Sequence, residues 1–257
     1  MSPRYVSVKE KGTFILIDFH THILPGIDDG SRDMDMTIRM LEAERDQGVS
    51  HICATPHFYA HRRSVDFFLE RRNRALKEVR KVLTDRSDLP QITPGAEVLY
   101  FRGMEQAELL PELCLEGTDI LLLEMPFDQW TGEMAKAIGT ILTKRGLKVV
   151  LAHVERYLRF QKDKTVWDQI LNMPLTLQMN AESFIHAGSF LRQNKEHKLC
   201  LQLLEERGNC ILGTDCHNMD ERKPNLEEAR AVIEKKIGAK RLEEIDKYTA
   251  ILFRVNE

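Results

Sequence analysis

No stretch of the sequence approaches the roughly 20 consecutive apolar residues that a membrane-spanning helix needs, so membrane insertion is not expected. The opening residues MSPRYVSVKEKGTF carry charge and lack the apolar core of a secretory signal, which leaves a cytoplasmic address as the expectation. The five cysteines (Cys53, Cys114, Cys200, Cys210 and Cys216) form no CxxC pair and no even set, so reduced, mostly buried thiols are expected in place of a disulfide framework. Charge of one sign is also missing: 37 Lys and Arg against 40 Asp and Glu give a net −3, which argues against a broad nucleic-acid surface. There is no low-complexity tract, no repeat of fixed period and no Pro/Gly/Ser linker. A chain of 257 residues with 42% hydrophobic content then fits one large domain.

What recurs is a short apolar run that ends on a polar, ligand-type residue. Seven such runs occupy 13–22, 50–57, 91–98, 119–125, 148–156, 175–180 and 209–218, and their continuous apolar character is that of strands buried on both faces. Helical spacing of apolar residues, with glycine stops, predicts helices over 36–47, 64–84, 132–145 and 226–236. Strands alternating with helices imply a parallel sheet, and seven of them suggest a closed or nearly closed β/α barrel with its site at the C-terminal strand ends.

The histidines sort onto those ends. His20, His22, His57, His153 and His217 stand at or just past an apolar run, whereas His51, His61, His186 and His197 fall at a strand start, in a loop or in polar helical context. Glu97, Glu124 and Asp215 share the strand-end placement, as does Asp28 in the loop after the first strand. His20 and His22 are two apart, so on an extended strand both imidazoles face one side. One HxH pair is weak evidence, since buried strand histidines are common. The joint set is different, because burying many titratable groups costs several kcal/mol each unless metal or counter-charge compensates. Mixed imidazole and carboxylate suits zinc, manganese or iron, and nine donors exceed what one ion takes, so two or three ions with a bridging carboxylate are expected.

Arg156 lies three residues past His153 and Arg222 five past His217, where guanidinium forks suit phosphate oxygens. Asp29, Gly30 and Ser31 are expected to complete a turn, and Asn180 to cap a strand end or to donate behind the metals. The basic stretch 71–81 is expected to be a solvated helix face.

The motifs DFHTHILPGIDDG, ATPH, PGAE, LLLE, LAHVERY and GTDCHN resemble those of the PHP (polymerase and histidinol phosphatase) superfamily. Within it the chain is most similar to bacterial manganese-dependent tyrosine phosphatases of capsule and exopolysaccharide synthesis. The resemblance implies a single PHP domain over 13–257, a distorted seven-stranded TIM-like barrel, preceded by an extension of residues 1–12. It implies a trinuclear centre of divalent ions, Mn²⁺ first, with Fe or Zn as alternatives. His20, His22, Glu97 and Asp215 would hold one ion; His57, His217 and Asp28 a second; Glu97, Glu124 and His153 the third. Arg156 and Arg222 would grip the phosphate, although Glu221 stands where the family commonly has Gly. The implied partner is a phosphotyrosine protein, the tyrosine-rich tail of a bacterial tyrosine kinase.

The expected chemistry is attack by a metal-bridging hydroxide, with a phenolate of pKa about 10 leaving without a general acid. Rival readings are a histidinol-phosphate phosphatase, a nuclease, or a module that binds phosphotyrosine without cleaving it. Cys216 and Arg222 satisfy the C-x5-R spacing of cysteine phosphatases. The intervening HNMDE, however, has no glycine and two acids, so Cys216 is expected to be a bystander that faces away from its neighbours Asp215 and His217.

Overall fold

The structure is a computed structural model that describes residues 15–185 and 191–253. The expected extension 1–12, the start of the first run and His186 lie outside the described residues. Among the described residues nine strands are formed: β1 Ile17–Thr21, β2 His51–Ala54, β3 His57–Phe58, β4 Gln91–Pro94, β5 Glu97–Leu99, β6 Ile120–Glu124, β7 Lys148–Leu151, β8 Thr176–Asn180 and β9 Cys210–Gly213. Every ladder between them is parallel. All residues of β1, β6, β8 and β9 are buried, which is why these runs read as continuously apolar.

The seven expected strands become nine because two runs break. The run 50–57 divides into β2 and β3 around Thr55 and Pro56, where proline has no N–H to give a ladder. The run 91–98 divides into β4 and β5 around Gly95 and Ala96. As a result the strands form two sheets, in the order β1-β2-β4 and β3-β5-β6-β7-β8-β9. The parallel α/β architecture agrees with the sequence, and among the described residues the strands form no continuously laddered, closed barrel. Between β1 and β9 the described residues show one isolated bridge, Thr21 to Cys216, flanked by Asp215 N donating to His20 O at 2.7 Å and His22 N donating to Cys216 O at 2.9 Å.

Helices α1 Met34–Asp46, α2 Val65–Leu83, α3 Gly132–Lys144 and α7 Leu226–Ile237 match the four expected, within a residue or two at each end. Side chains of Asp33, Ser64 and Thr131 cap the first three by accepting from the third residue onward. The sequence periodicity did not single out α4 Thr165–Leu171, α5 Glu182–Ile185, α6 Leu191–Glu206 and α8 Ala239–Phe253. No helix of the described residues is long and apolar enough to cross a membrane.

Parallel strands all deliver their C-terminal ends to one rim, and the loop after β1 is folded back against it. Gly26 N donates to Ser31 O at 2.8 Å and Ser31 N to His22 O at 2.9 Å. At Gly30 a Cβ would sit 2.2 Å from His22 O and 2.5 Å from His22 Cβ, so only glycine allows this approach. Gly30→Ala should therefore lower stability by about 2 kcal/mol or more, the cost of forcing backbone apart. Gly139→Ala on α3, where an added Cβ meets nothing within 4 Å, should be neutral or stabilise by about 0.5–1 kcal/mol. Urea denaturation of both variants measures this; equal effects would contradict the packing described.

Candidate metal centre

The strand ends bring together every residue the sequence singled out except one. His20 Nε2 and His22 Nε2 lie 3.1 Å apart. Glu97 Oε2 is 3.3 Å from the first and 3.4 Å from the second, and Asp215 Oδ1 is 3.6 and 3.3 Å from them. From the other side, His57 Nδ1 meets Glu97 Oε2 and His153 Nε2 meets Glu97 Oε1, each at 2.8 Å. Glu124 Oε1 is 3.7 Å from His153 Nε2. Glu97 is thus the central carboxylate.

Asp28 is the exception. Its Oδ2 accepts from His22 Nδ1 at 2.7 Å and from His57 N at 2.9 Å, while Oδ1 accepts from Gly30 N at 3.0 Å. The neighbouring Asp29 turns inward instead, with Oδ1 3.5 Å from His57 Nε2 and 3.6 Å from His217 Nε2. Asp28 therefore orients the His22 imidazole and holds the His57 main chain from behind, and Asp29 takes the place facing the centre. The turn expected at 29–31 concealed that swap.

Partners on the far nitrogens fix the tautomers. The acceptor-only Asp28 carboxylate requires a proton on His22 Nδ1. Gln178 Oε1 accepts from His153 N at 2.8 Å and faces His20 Nδ1 at 3.1 Å, so Nδ1 carries the proton there as well. His217 Nδ1 likewise donates to Asp215 O at 2.9 Å. In the neutral rings, lone pairs of His20 Nε2, His22 Nε2 and His217 Nε2 all point inward. Two lone pairs 3.1 Å apart repel unless a cation stands between them.

Charge says the same. Burial opposes protonation of His20, yet Glu97 and Asp215 hold it above its ordinary value; His22 is raised by Asp28 and Asp215 against the same burial. Burial, with the charge of Glu97, pushes Glu124 up to about 8, and burial takes His153 down to about 4. His57 Nδ1, Glu97 Oε2 and His217 Nε2 are buried and make no well-directed hydrogen bond, although His57 Nδ1 and Glu97 Oε2 stand 2.8 Å apart. Orphaned polar atoms cost about 1–3 kcal/mol apiece, and these converge on one space. Three overlapping donor groups occupy it: His20–His22–Glu97, His22–Asp29–His57–His217 and His57–Glu97–Glu124. Divalent ions fit this donor set.

Two guanidinium groups roof the centre. Asp215 Oδ2 accepts from Arg222 at 2.7 Å, from Asn180 Nδ2 at 2.9 Å and from Arg156 at 3.4 Å. Arg156 also lies 5.0 Å over the Phe127 ring, which stacks on His153 at 5.8 Å. Both arginine side chains remain about a third exposed, so they reach from the ligands to solvent. Phe127, Gln178, Asp29 and the buried Glu155, which accepts from Ser183 Oγ at 2.8 Å and Asn180 N at 3.2 Å, escaped the sequence reading. For Gln178 a signal existed: with Asn180 it puts two polar side chains at alternate positions of an otherwise apolar run. Among the described histidines, His51 and His61 take no part in the cluster, and His197 on α6 faces Ser183 O of α5.

Cys216 is fully buried, with its thiol directed at Glu44 Oε1, 3.7 Å away, and not at Arg222. Burial, then the charges of Glu44 and Asp18, raise its pKa well above the usual thiol value. That is the reverse of an activated nucleophile.

A parallel α/β fold whose strand ends gather imidazoles and carboxylates under two arginines defines a metallohydrolase of an anionic substrate. The family model for capsular polysaccharide synthesis, CpsB/CapC, matches residues 16–251, and the chain belongs to that family. Its relatives include tyrosine-protein phosphatase YwqE of Bacillus subtilis strain 168, 31% identical over 229 residues that cover 87% of this chain and 86% of that one. Tyrosine-protein phosphatase CpsB of Streptococcus agalactiae serotype V is 28% identical over 235 residues, covering 90% and 94%. The fold is similar to that of the metal-dependent tyrosine phosphatases YwqE of Bacillus subtilis and CpsB of Streptococcus pneumoniae, with a TM-score of 0.79 and 24% identity over 94% of this chain and 96% of that chain.

In chelator, the fold keeps the Glu124 proton to about pH 8, whereas the unfolded chain releases it near its ordinary value. The contribution of Glu124 is therefore complete at low pH and lost as pH rises through about 8. His20 and His22, also raised, act in the same direction, and His153 acts only below about 6.5. The urea midpoint of chelated protein should fall between about pH 6.5 and 8, and Glu124→Gln should reduce that slope. An unaltered slope would contradict the assignment. Cys216→Ser should keep phosphatase activity within a few-fold and give no phosphocysteine on acid quench; complete loss of turnover with metal intact would make Cys216 the nucleophile after all.

Proposed function

We propose that the chain is a metal-dependent protein-tyrosine phosphatase holding two or three divalent ions, Mn²⁺ by preference. The observation that carries this reading is the convergence of inward-facing imidazole lone pairs and buried carboxylates beneath two arginines. His20, His22, Glu97 and Asp215 would hold one ion, and His57, His217 and Asp29 a second. Glu97, Glu124 and His153 would hold the third, with Glu97 bridging. The names of the relatives supply the substrate class. In this reading the seven apolar runs wind as a distorted β/α barrel over a single domain, residues 13–257, with 1–12 as an extension. The substrate is a phosphotyrosine protein in the cytoplasm, the tyrosine-rich tail of a kinase governing capsule or exopolysaccharide synthesis.

Bound divalent ions would supply Lewis acidity toward phosphoryl oxygens and a water of lowered pKa. The chain's own groups do the rest. Arg156 and Arg222 orient the phosphoryl group and neutralise charge on its oxygens, their forks offering paired donors. Until substrate arrives they rest on Asp215 Oδ2, and Phe127 holds Arg156 at its post. A phenolate with pKa about 10 leaves without a proton donor, so no general acid is required of the chain.

Chelation should abolish hydrolysis of a phosphotyrosine peptide, and Mn²⁺ should restore it. Turnover on histidinol phosphate, phosphoserine peptide and single-stranded DNA should be far slower. Full activity of metal-free protein would defeat the metal reading, and a preference for histidinol phosphate or DNA would place the chain with another PHP activity. Arg156→Ala and Arg222→Ala should each lower kcat/KM at least about tenfold, ~1.4 kcal/mol, with metal content near normal. If neither does, the arginines do not grip phosphate.

A further inference from the structure

Asp18 stands two residues before His20 on β1, fully buried, and no step above uses it. Its Oδ1 accepts from His20 N at 3.1 Å and from Thr214 N at 2.9 Å, and its Oδ2 accepts from Thr214 Oγ1 at 2.5 Å. Thr214 Oγ1 in turn accepts from Cys216 N at 3.2 Å. One carboxylate thus holds the N–H of His20 and, with Thr214, ties down the backbone on either side of Asp215.

Two observations show what that tie resists. Among the described residues the seam between β1 and β9 has one isolated bridge with two backbone hydrogen bonds beside it in place of a ladder, so the main chain alone joins these strands over a short stretch. Asp215 also sits at φ 54, in the left-handed region that costs a side-chain-bearing residue about 1–2 kcal/mol. Such a conformation persists only where its surroundings over-determine it. Asp215 N–H donates to His20 O at 2.7 Å, and Gly213 leaves room for His20, whose Cβ would lie 2.7 Å from an added methyl. Glu44 of α1 closes the network from behind, with acceptor and donor atoms of Asp18, Glu44 and Cys216 within 4.8 Å of one another.

We propose that Asp18, acting through Thr214, is the positioning residue that clamps β1 to β9 and fixes Asp215 in the left-handed conformation that directs its carboxylate between His20 and His22. This rests on reading those three residues as metal ligands. The clamp acts on metal affinity, because a ligand free to leave the left-handed conformation turns its carboxylate out of the cluster.

Thr214→Val keeps shape but removes both hydroxyl bonds; Thr214→Ser keeps both; Asp18→Asn replaces the acceptor that faces Thr214 Oγ1 with a donor. For each, the urea midpoint in chelator, the Mn²⁺ dissociation constant and kcat on p-nitrophenyl phosphate at saturating Mn²⁺ would be measured. Thr214→Val and Asp18→Asn should weaken Mn²⁺ binding about 10–100-fold, the range for groups that orient ligands from behind, and lower kcat more than they change KM. Thr214→Ser should stay within about threefold of wild type, since it keeps the hydroxyl that both accepts and donates. A lowered urea midpoint with unchanged Mn²⁺ affinity and kcat would make the network merely structural and overturn the proposal. If Asp18→Asn fails to fold, the Thr214 pair decides. Wild-type protein that binds no Mn²⁺ would overturn the ligand reading together with the clamp, whereas tight wild-type binding unaffected by Thr214→Val overturns the clamp alone.

Discussion

Two imidazole nitrogens, His20 Nε2 and His22 Nε2, face each other at 3.1 Å with their protons committed to Gln178 and Asp28 on the far sides. A proton on one of them or a metal cation between them relieves that contact, and the rest of the structure is arranged around supplying positive charge there. Glu97 offers one oxygen to this pair and to His57, and the other to His153, so a single buried carboxylate joins four rings. Parallel strands make this feasible, because they all end at the same rim and each of the seven runs contributes a side chain there. A fold of antiparallel hairpins would scatter the same residues between two ends.

The metal-free centre is out of electrostatic balance in a direction that favours ion uptake. Raised values at His20, His22 and Glu124 mean that protons substitute for missing positive charge. Cations that displace those protons recover the orphaned atoms of His57, Glu97 and His217 as well. Asp215 mediates between the two halves of the site: Oδ1 faces the imidazole pair and Oδ2 anchors both arginines. In the proposed function, substrate recognition and ligand geometry share one residue, held in an unfavourable backbone conformation.

Much of this was legible in the sequence, because local rules governed it. The two-residue spacing of His20 and His22 put both rings on one side, and the same alternation sent Cys216 away from Asp215 and His217. Helix α1 ended before Gly48, as the glycine stop suggested. The illegible parts depended on long-range contact or on the sense of a turn. Nothing local distinguishes Asp28 from Asp29; a turn closed by Ser31 on His22 decides which carboxylate faces inward. Gln178 meets His20 across 158 residues, and Asp18 meets Thr214 across 196. The division into two sheets followed from Pro56 and from the Gly95–Ala96 break, which each interrupt a run that reads as one strand.

Anomalous diffraction at the manganese edge from crystals equilibrated with Mn²⁺ tests the central claim most directly. The account predicts two or three peaks, one where His20 Nε2, His22 Nε2, Glu97 and Asp215 converge, and another facing Asp29, His57 and His217. Absence of anomalous density at that convergence, or density confined to the buried Asp18–Glu44–Cys216 group behind it, would contradict the account.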